Sequence, residues 1–95
     1  MHTFEQEYEW DEKKAAANLA KHGVDFADAI VAVEDERALE LVDEESSEER
    51  YVLLGLDEHG RLLAVAYTWR GDVMRIISAR KATTTEAQTY AGTKR

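Results

Sequence analysis

Three apolar stretches in the second half of the chain leave little freedom in how it folds: "RYVLLGLD" (50–57), "RLLAVAYTW" (61–69) and "VMRIISAR" (73–80). Each is rich in branched, aliphatic and aromatic side chains, the content of β-strands. Between them stand only Glu58-His59-Gly60 and Arg70-Gly71-Asp72, short and turn-forming. Connections of that length return consecutive strands side by side, so the three form an antiparallel meander. The middle stretch is apolar at both parities, which places it centrally in the sheet. "ALELVD" (38–43) adds a further strand.

The first third of the chain reads differently. "FEQEYEW" (4–10) alternates Phe4, Tyr8 and Trp10 with polar residues, a short strand. Asp11 suits an N-cap, because its carboxylate accepts from the free N–H groups of a first helical turn. The helix it starts runs from about Glu12 to His22. Ala15, Ala16, Ala17 and Ala20 favour it intrinsically. Ala16, Leu19 and Ala20 are expected to face inward, with Lys14, Asn18, Lys21 and His22 forming one polar stripe. Gly23 suits the left-handed position just past a helix, and a cation in the last turn complements the helix dipole. Asp25 reads as the N-cap of a second helix, with Asp28 as a capping-box analogue and Phe26, Ala29, Ile30 and Val33 as its apolar face. Thr83-Thr84-Thr85-Glu86 has the form of a capping box, so a last helix starts near Thr84 and frays before Lys94. Strand, two helices, four strands and a helix make an α+β protein with helices on one sheet face. Ninety-five residues suffice for one domain, 1–95.

Charge is distributed unevenly. The net charge is −8, yet residues 34–49 alone hold nine acids and one base, Arg37. Residues 50–95 hold eight bases and four acids, so the acidic average does not exclude an anionic ligand for that half. The acidic run reads as a solvated edge, or as a strip that repels polyanions or docks a basic partner. No apolar run approaches the ~20 residues of a membrane helix, and the first residues show no signal-peptide pattern. With no cysteine, disulfides and cysteine-based zinc sites are excluded, which fits a cytoplasmic protein. His2, His22 and His59 are scattered, the acids lack the order of a calcium loop, and no phosphate loop is present. No metal or cofactor is expected. No helix has the dense basic face of a major-groove reader, which argues against direct DNA binding.

The remaining candidates for chemistry are basic: Lys14, Lys21, His22, Arg50, Arg75, Arg80 and Lys81. An arginine on a strand is costly unless it is paired or holds an anion. Two readings stand: Arg75 and Arg80 pair with acids such as Glu49 or Glu86, or they face a site. Five residues apart, they point to opposite faces of a regular strand, so either a bulge intervenes or only one faces a site. His22 likewise reads either as a helix terminus or as an acid–base group. Tyr67 and Trp69 read as strand packing as readily as stacking surface, and Trp10 as an anchor of the first helix.

Two longer motifs are more specific: W-D-x-x-K-x-x-x-N-x-x-K-H-G-V-x-F at 10–26 and R-I-I-S-A-R-x-A at 75–82. Together with "ERYVLLGL" they resemble the BrnT-type toxins, over about residues 8–90. The resemblance implies a RelE-like fold: an antiparallel sheet of about four strands plus a short N-terminal strand, two N-terminal helices on one face and a C-terminal helix. It implies an endoribonuclease that cleaves mRNA and arrests growth. The partner it implies is a BrnA-type antitoxin, which would link the toxin to DNA indirectly. Such cleavage needs a base for the ribose 2′-OH, cations for the phosphate charge and an acid for the leaving oxygen. Lys21 or His22 can serve acid–base roles, and Arg50, Arg75 and Arg80 can hold phosphate. Glu49 can act as a base or orient an arginine. Lys14, Asn18 and Lys81 can contact RNA, and Tyr67 and Tyr90 can stack on a base. The alternative is a domain that acts only through its antitoxin, favoured by the repulsion between a net charge of −8 and RNA.

Overall fold

The computed structural model describes residues 5–41 and 50–92. The elements are β1 (Glu7–Glu9), α1 (Glu12–His22), α2 (Phe26–Val33), β2 (Leu39–Leu41), β3 (Tyr51–Leu56), β4 (Leu62–Arg70), β5 (Val73–Lys81) and α3 (Thr84–Gly92). The sheet order is β1-β5-β4-β3-β2. The meander is present and β4 is central, as its two apolar faces require. β1 is parallel to β5, with Glu7 opposite Val73 and Glu9 opposite Arg75, and all other pairings are antiparallel. Gly60 and Gly71 turn the two hairpins at φ 81 and 59.

The helix boundaries follow their caps. Asp11 accepts from Lys13 N at 2.9 Å, and Gly23 closes α1 in the left-handed region at φ 71, donating to Leu19 O. Asp25 accepts from Ala27 N at 3.0 Å to start α2. The core lies between the helices and one face of the sheet: Val24, Phe26, Ala29 and Ala32 meet Leu53, Leu63, Val65, Tyr67, Met74, Ile76 and Ala79. Trp10 packs edge-on against Phe26, at 5.9 Å between ring centroids.

The facing of α1 differs from its sequence expectation. Leu19 is 48% exposed, and Ala16 and Ala20 are exposed as well, while Asn18 is the helix's buried residue. The polar stripe therefore faces the sheet. β1 ends at Glu9, so the outer edge of β5 is bare beyond Arg75. Asn18 fills that edge like a fragment of strand. Its Nδ2 donates to Ala79 O (2.9 Å) and Val24 O (3.0 Å), and its Oδ1 accepts from Ala79 N (3.1 Å). One amide thus joins α1, the start of α2 and β5.

Arg61 makes a second junction. Its Nε donates to Asp57 at 2.8 Å, one Nη to Gly23 O at 3.1 Å and the other to Asp28 at 3.1 Å. This contact, not a capping box, occupies Asp28. Burial pushes the Asp57 carboxyl up, but hydrogen bonds from the Arg61 and His59 amides and the Arg61 side chain outweigh it and hold the carboxyl below its usual range. α2 lies so close to β3 that a Cβ on Gly55 would fall 1.9 Å from Ala32 O.

Two stability predictions follow from these contacts. Gly55→Ala forces α2 off the sheet and costs about 2–3 kcal/mol, read by urea unfolding. Asn18→Ala strips buried backbone groups of Ala79 and Val24 of their partner, and costs about 2–4 kcal/mol by the same measurement.

Candidate functional site

The parity of Arg75 and Arg80 is settled by a bulge. Ala66 opposes Ser78 and Tyr67 opposes Ile76, so Ile77 is an extra residue on β5. Arg75 and Arg80 then oppose Thr68 and Ala64. These are four apart on β4, and the two arginines share one face. Ser78, opposite Ala66, lies on that face between them.

Where the bulge meets α1, a hollow of about 270 Å³ opens, lined by Lys14, Ala17, Asn18, Lys21, His22, Ile77 and Ser78. The inward turn of the polar stripe builds this place. The side chains of Lys14, Lys21 and His22 make no hydrogen bond or ion pair among the described residues. Gly23 N–H, not His22, caps the helix end, which leaves the imidazole available. No carboxylate lines the hollow.

The arginines are already engaged. Arg75 donates to Glu9 at 2.9 Å, and Arg70 approaches the same carboxylate at 3.5 Å. Arg80 makes a two-pronged contact with Glu86, 2.9 Å on each prong, and a 3.2 Å bond to Lys81 O. Glu86 also takes part in a reciprocal cap with Thr83, which donates its N–H at 2.9 Å. The Arg80 bond above all, and then the Thr83 contacts, hold the Glu86 carboxyl at about 2 against a burial effect that opposes them. Bonding to Glu86 raises Arg80 in turn. After these bonds Arg80 keeps its Nε–H and one Nη–H for another acceptor.

Three sequence candidates need correction. Asn18 does not offer itself to a ligand: it is 7% exposed, and both amide hydrogens and its oxygen are spent on backbone. Tyr67 is 3% exposed, stacked on Tyr51 and edge-on to Trp69, with its hydroxyl on Glu40, so its ring is closed to a base. Burial first, and then Glu40, push that phenol well above its ordinary range. Arg50 does not line the hollow: it precedes β3, which β4 separates from β5.

The remaining candidates are more simply placed. Tyr90 donates to Asp35, and burial and that carboxylate push it up to about 12. Lys81 is exposed at the end of β5. Glu49 lies outside the described residues. Sequence reasoning missed Ile77 and Ser78 as lining residues. The odd spacing of the arginines in "RIISAR" allowed a bulge between them, or a site faced by only one of them.

Two other places are less suited to a ligand. A hollow of about 730 Å³ is lined by Glu5, Gln6, Glu7, Trp69, Gly71 and Asp72. It is larger, but its three carboxylates repel phosphate. Asp28, Glu58 and His59 bring three possible ligand atoms within 4.8 Å of one another. Arg61 already bonds an Asp28 oxygen at 3.1 Å, and its charge opposes a cation there.

Comparison with known proteins points to one family. Residues 10–86 match a family model described as the ribonuclease toxin, BrnT, of type II toxin–antitoxin systems. The crystal structure of the Brucella abortus ribonuclease toxin BrnT is similar, with 28% identity and a TM-score of 0.67, covering 84% of this chain and 100% of that one. No curated protein matches the chain.

The Arg80–Glu86 contact has a pH signature. A carboxyl lowered from 4.5 to about 2 contributes stability above pH 4.5, and that contribution is lost as pH falls toward 2. In thermal melts from pH 7 to 2, Glu86→Gln is less stable at neutral pH and shows a shallower decline across that window than the parent.

Proposed function

The chain belongs to the BrnT ribonuclease toxins of type II toxin–antitoxin systems, and from that premise we propose an endoribonuclease that cleaves mRNA without a metal ion at the α1–β5 hollow. The observation that carries this is three uncommitted basic groups, Lys14, Lys21 and His22, facing a bulge with an arginine on either side. The family implies an RNA target and an antitoxin. We take the antitoxin to be BrnA-type, contacting DNA on the toxin's behalf, and the site of action to be the cytoplasm. No helix among the described residues is long and apolar enough to cross a membrane.

The chemistry suits these groups. The ribose 2′-oxygen attacks the adjacent phosphorus and loses its proton to a base, while the 5′-oxygen leaves with a proton from an acid. His22 and Lys21 supply the acid–base pair. Lys14 and the two free donors of Arg80 take the charge that grows on the phosphate oxygens. Arg80 can do so without giving up Glu86, which holds the guanidinium in place. Arg75 spends one Nη donor on Glu9 and retains others.

A second reading, a domain that acts only through its antitoxin, is favoured by the net charge of −8 and by the acids already on both arginines. One experiment separates the two. Purified protein is incubated with an oligoribonucleotide in EDTA, and kcat/KM is measured. The enzyme reading expects cleavage that falls about 100-fold or more in a Lys21→Ala/His22→Ala variant, and about 10- to 100-fold in Arg80→Ala. A folded parent that cleaves nothing supports the second reading.

A further inference from the structure

We infer that Ser78 is a catalytic residue of this site, its hydroxyl donating to a non-bridging oxygen of the phosphate under attack. The inference rests on the ribonuclease reading above and adds to it Ser78, the serine inside the R-I-I-S-A-R-x-A motif.

The bulge makes the position. Without the extra Ile77, Arg75 and Arg80 would point to opposite faces of β5. With it, Arg75, Ser78 and Arg80 share one face, with Ser78 between the two cations. Ser78 also lines the hollow with Lys14, Lys21 and His22. Two basic surfaces, the α1 stripe and the β5 arginines, therefore share Ser78 as their common neighbour.

The surroundings keep its hydroxyl available. It is half-buried and makes no hydrogen bond among the described residues. The residue opposite Ser78 on β4 is Ala66, a small side chain that is itself only half-buried. A phosphate placed between α1 and β5 meets this hydroxyl as a neutral donor among charged ones. The neutral donor suits a non-bridging oxygen, where charge grows during attack, because it adds a directed bond where the lysines supply mainly field.

The step balances without a covalent enzyme intermediate. The 2′-oxygen forms the new bond to phosphorus and the bond to the 5′-oxygen breaks. One proton leaves the 2′-hydroxyl for the base, and one reaches the 5′-oxygen from the acid. The products are a 2′,3′-cyclic phosphate and a 5′-hydroxyl, and Ser78 keeps its proton.

Oligoribonucleotides with a single Rp or Sp phosphorothioate at the cleaved position test this, in EDTA, with the full chain. Sulfur accepts a hydrogen bond poorly, so the parent should discriminate between the diastereomers. Ser78→Ala should lower kcat on the all-oxygen substrate about 10- to 100-fold with KM little changed, and the diastereomer preference should shrink. Ser78→Thr, which keeps the hydroxyl, should restore both. The inference is overturned if the parent cleaves and Ser78→Ala matches it, or if Ser78→Ala is slow with its diastereomer ratio unchanged, the mark of a purely structural role. A parent that cleaves no RNA overturns the ribonuclease reading and this inference together, so the two failures are distinct.

Discussion

The Asn18 amide at the bare edge of β5 is the contact on which the arrangement of this protein turns. β1 covers only the first three residues of that edge, and Ala79 further along needs partners for both its backbone groups. Leaving a buried backbone group unpaired costs about 1–3 kcal/mol. Turning Leu19 half out to solvent forgoes about half of the 1.5–3 kcal/mol that full burial of such a side chain gives. The polar need is the larger, so α1 presents its polar stripe to the sheet and leaves Ala16, Leu19 and Ala20 outside. Val24 O joins the same amide, which fixes where α2 begins relative to β5.

That orientation is also what makes a candidate site. Once Asn18 is drawn against Ala79, Lys14 and Lys21, one helical turn either side of it, border the β5 bulge, and His22 follows at the helix end. The clamp is structural, and the groups beside it are the ones left for chemistry. Charge is segregated accordingly. The hollow at α1 has no carboxylate in its lining, whereas the larger one beside Trp69 has three. The acids near the arginines, Glu9 and Glu86, each hold a guanidinium without consuming all its donors. A strongly acidic average charge is therefore compatible with a local field suited to phosphate, because salt screens charges more than about 10 Å away.

Much of the fold could be read locally. Asp11 and Asp25 start their helices, Gly23 ends one, and Thr83 with Glu86 forms the reciprocal cap expected of that spacing. The strand boundaries of the meander lie within a residue or two of the apolar runs. The candidate site was legible in part. Lys14, Lys21 and His22 meet as one stripe should, and the parity conflict over Arg75 and Arg80 had a bulge as one of its two resolutions. Tyr67 was not legible: an aromatic residue on a strand is the same letter whether it faces solvent or lies between Tyr51 and Trp69 with its hydroxyl on Glu40.

What the sequence alone determined was the kind and order of the elements, since caps, turns and periodicity act between residues a few positions apart. Which way α1 faces, and which groups share a surface, were set by contacts across the fold. Asn18 finds Ala79 across 61 residues of chain, and Arg75 finds Glu9 across 66. No local pattern encodes those meetings, because the unmet hydrogen bonds that drive them exist only after the sheet has formed and left an edge of β5 open.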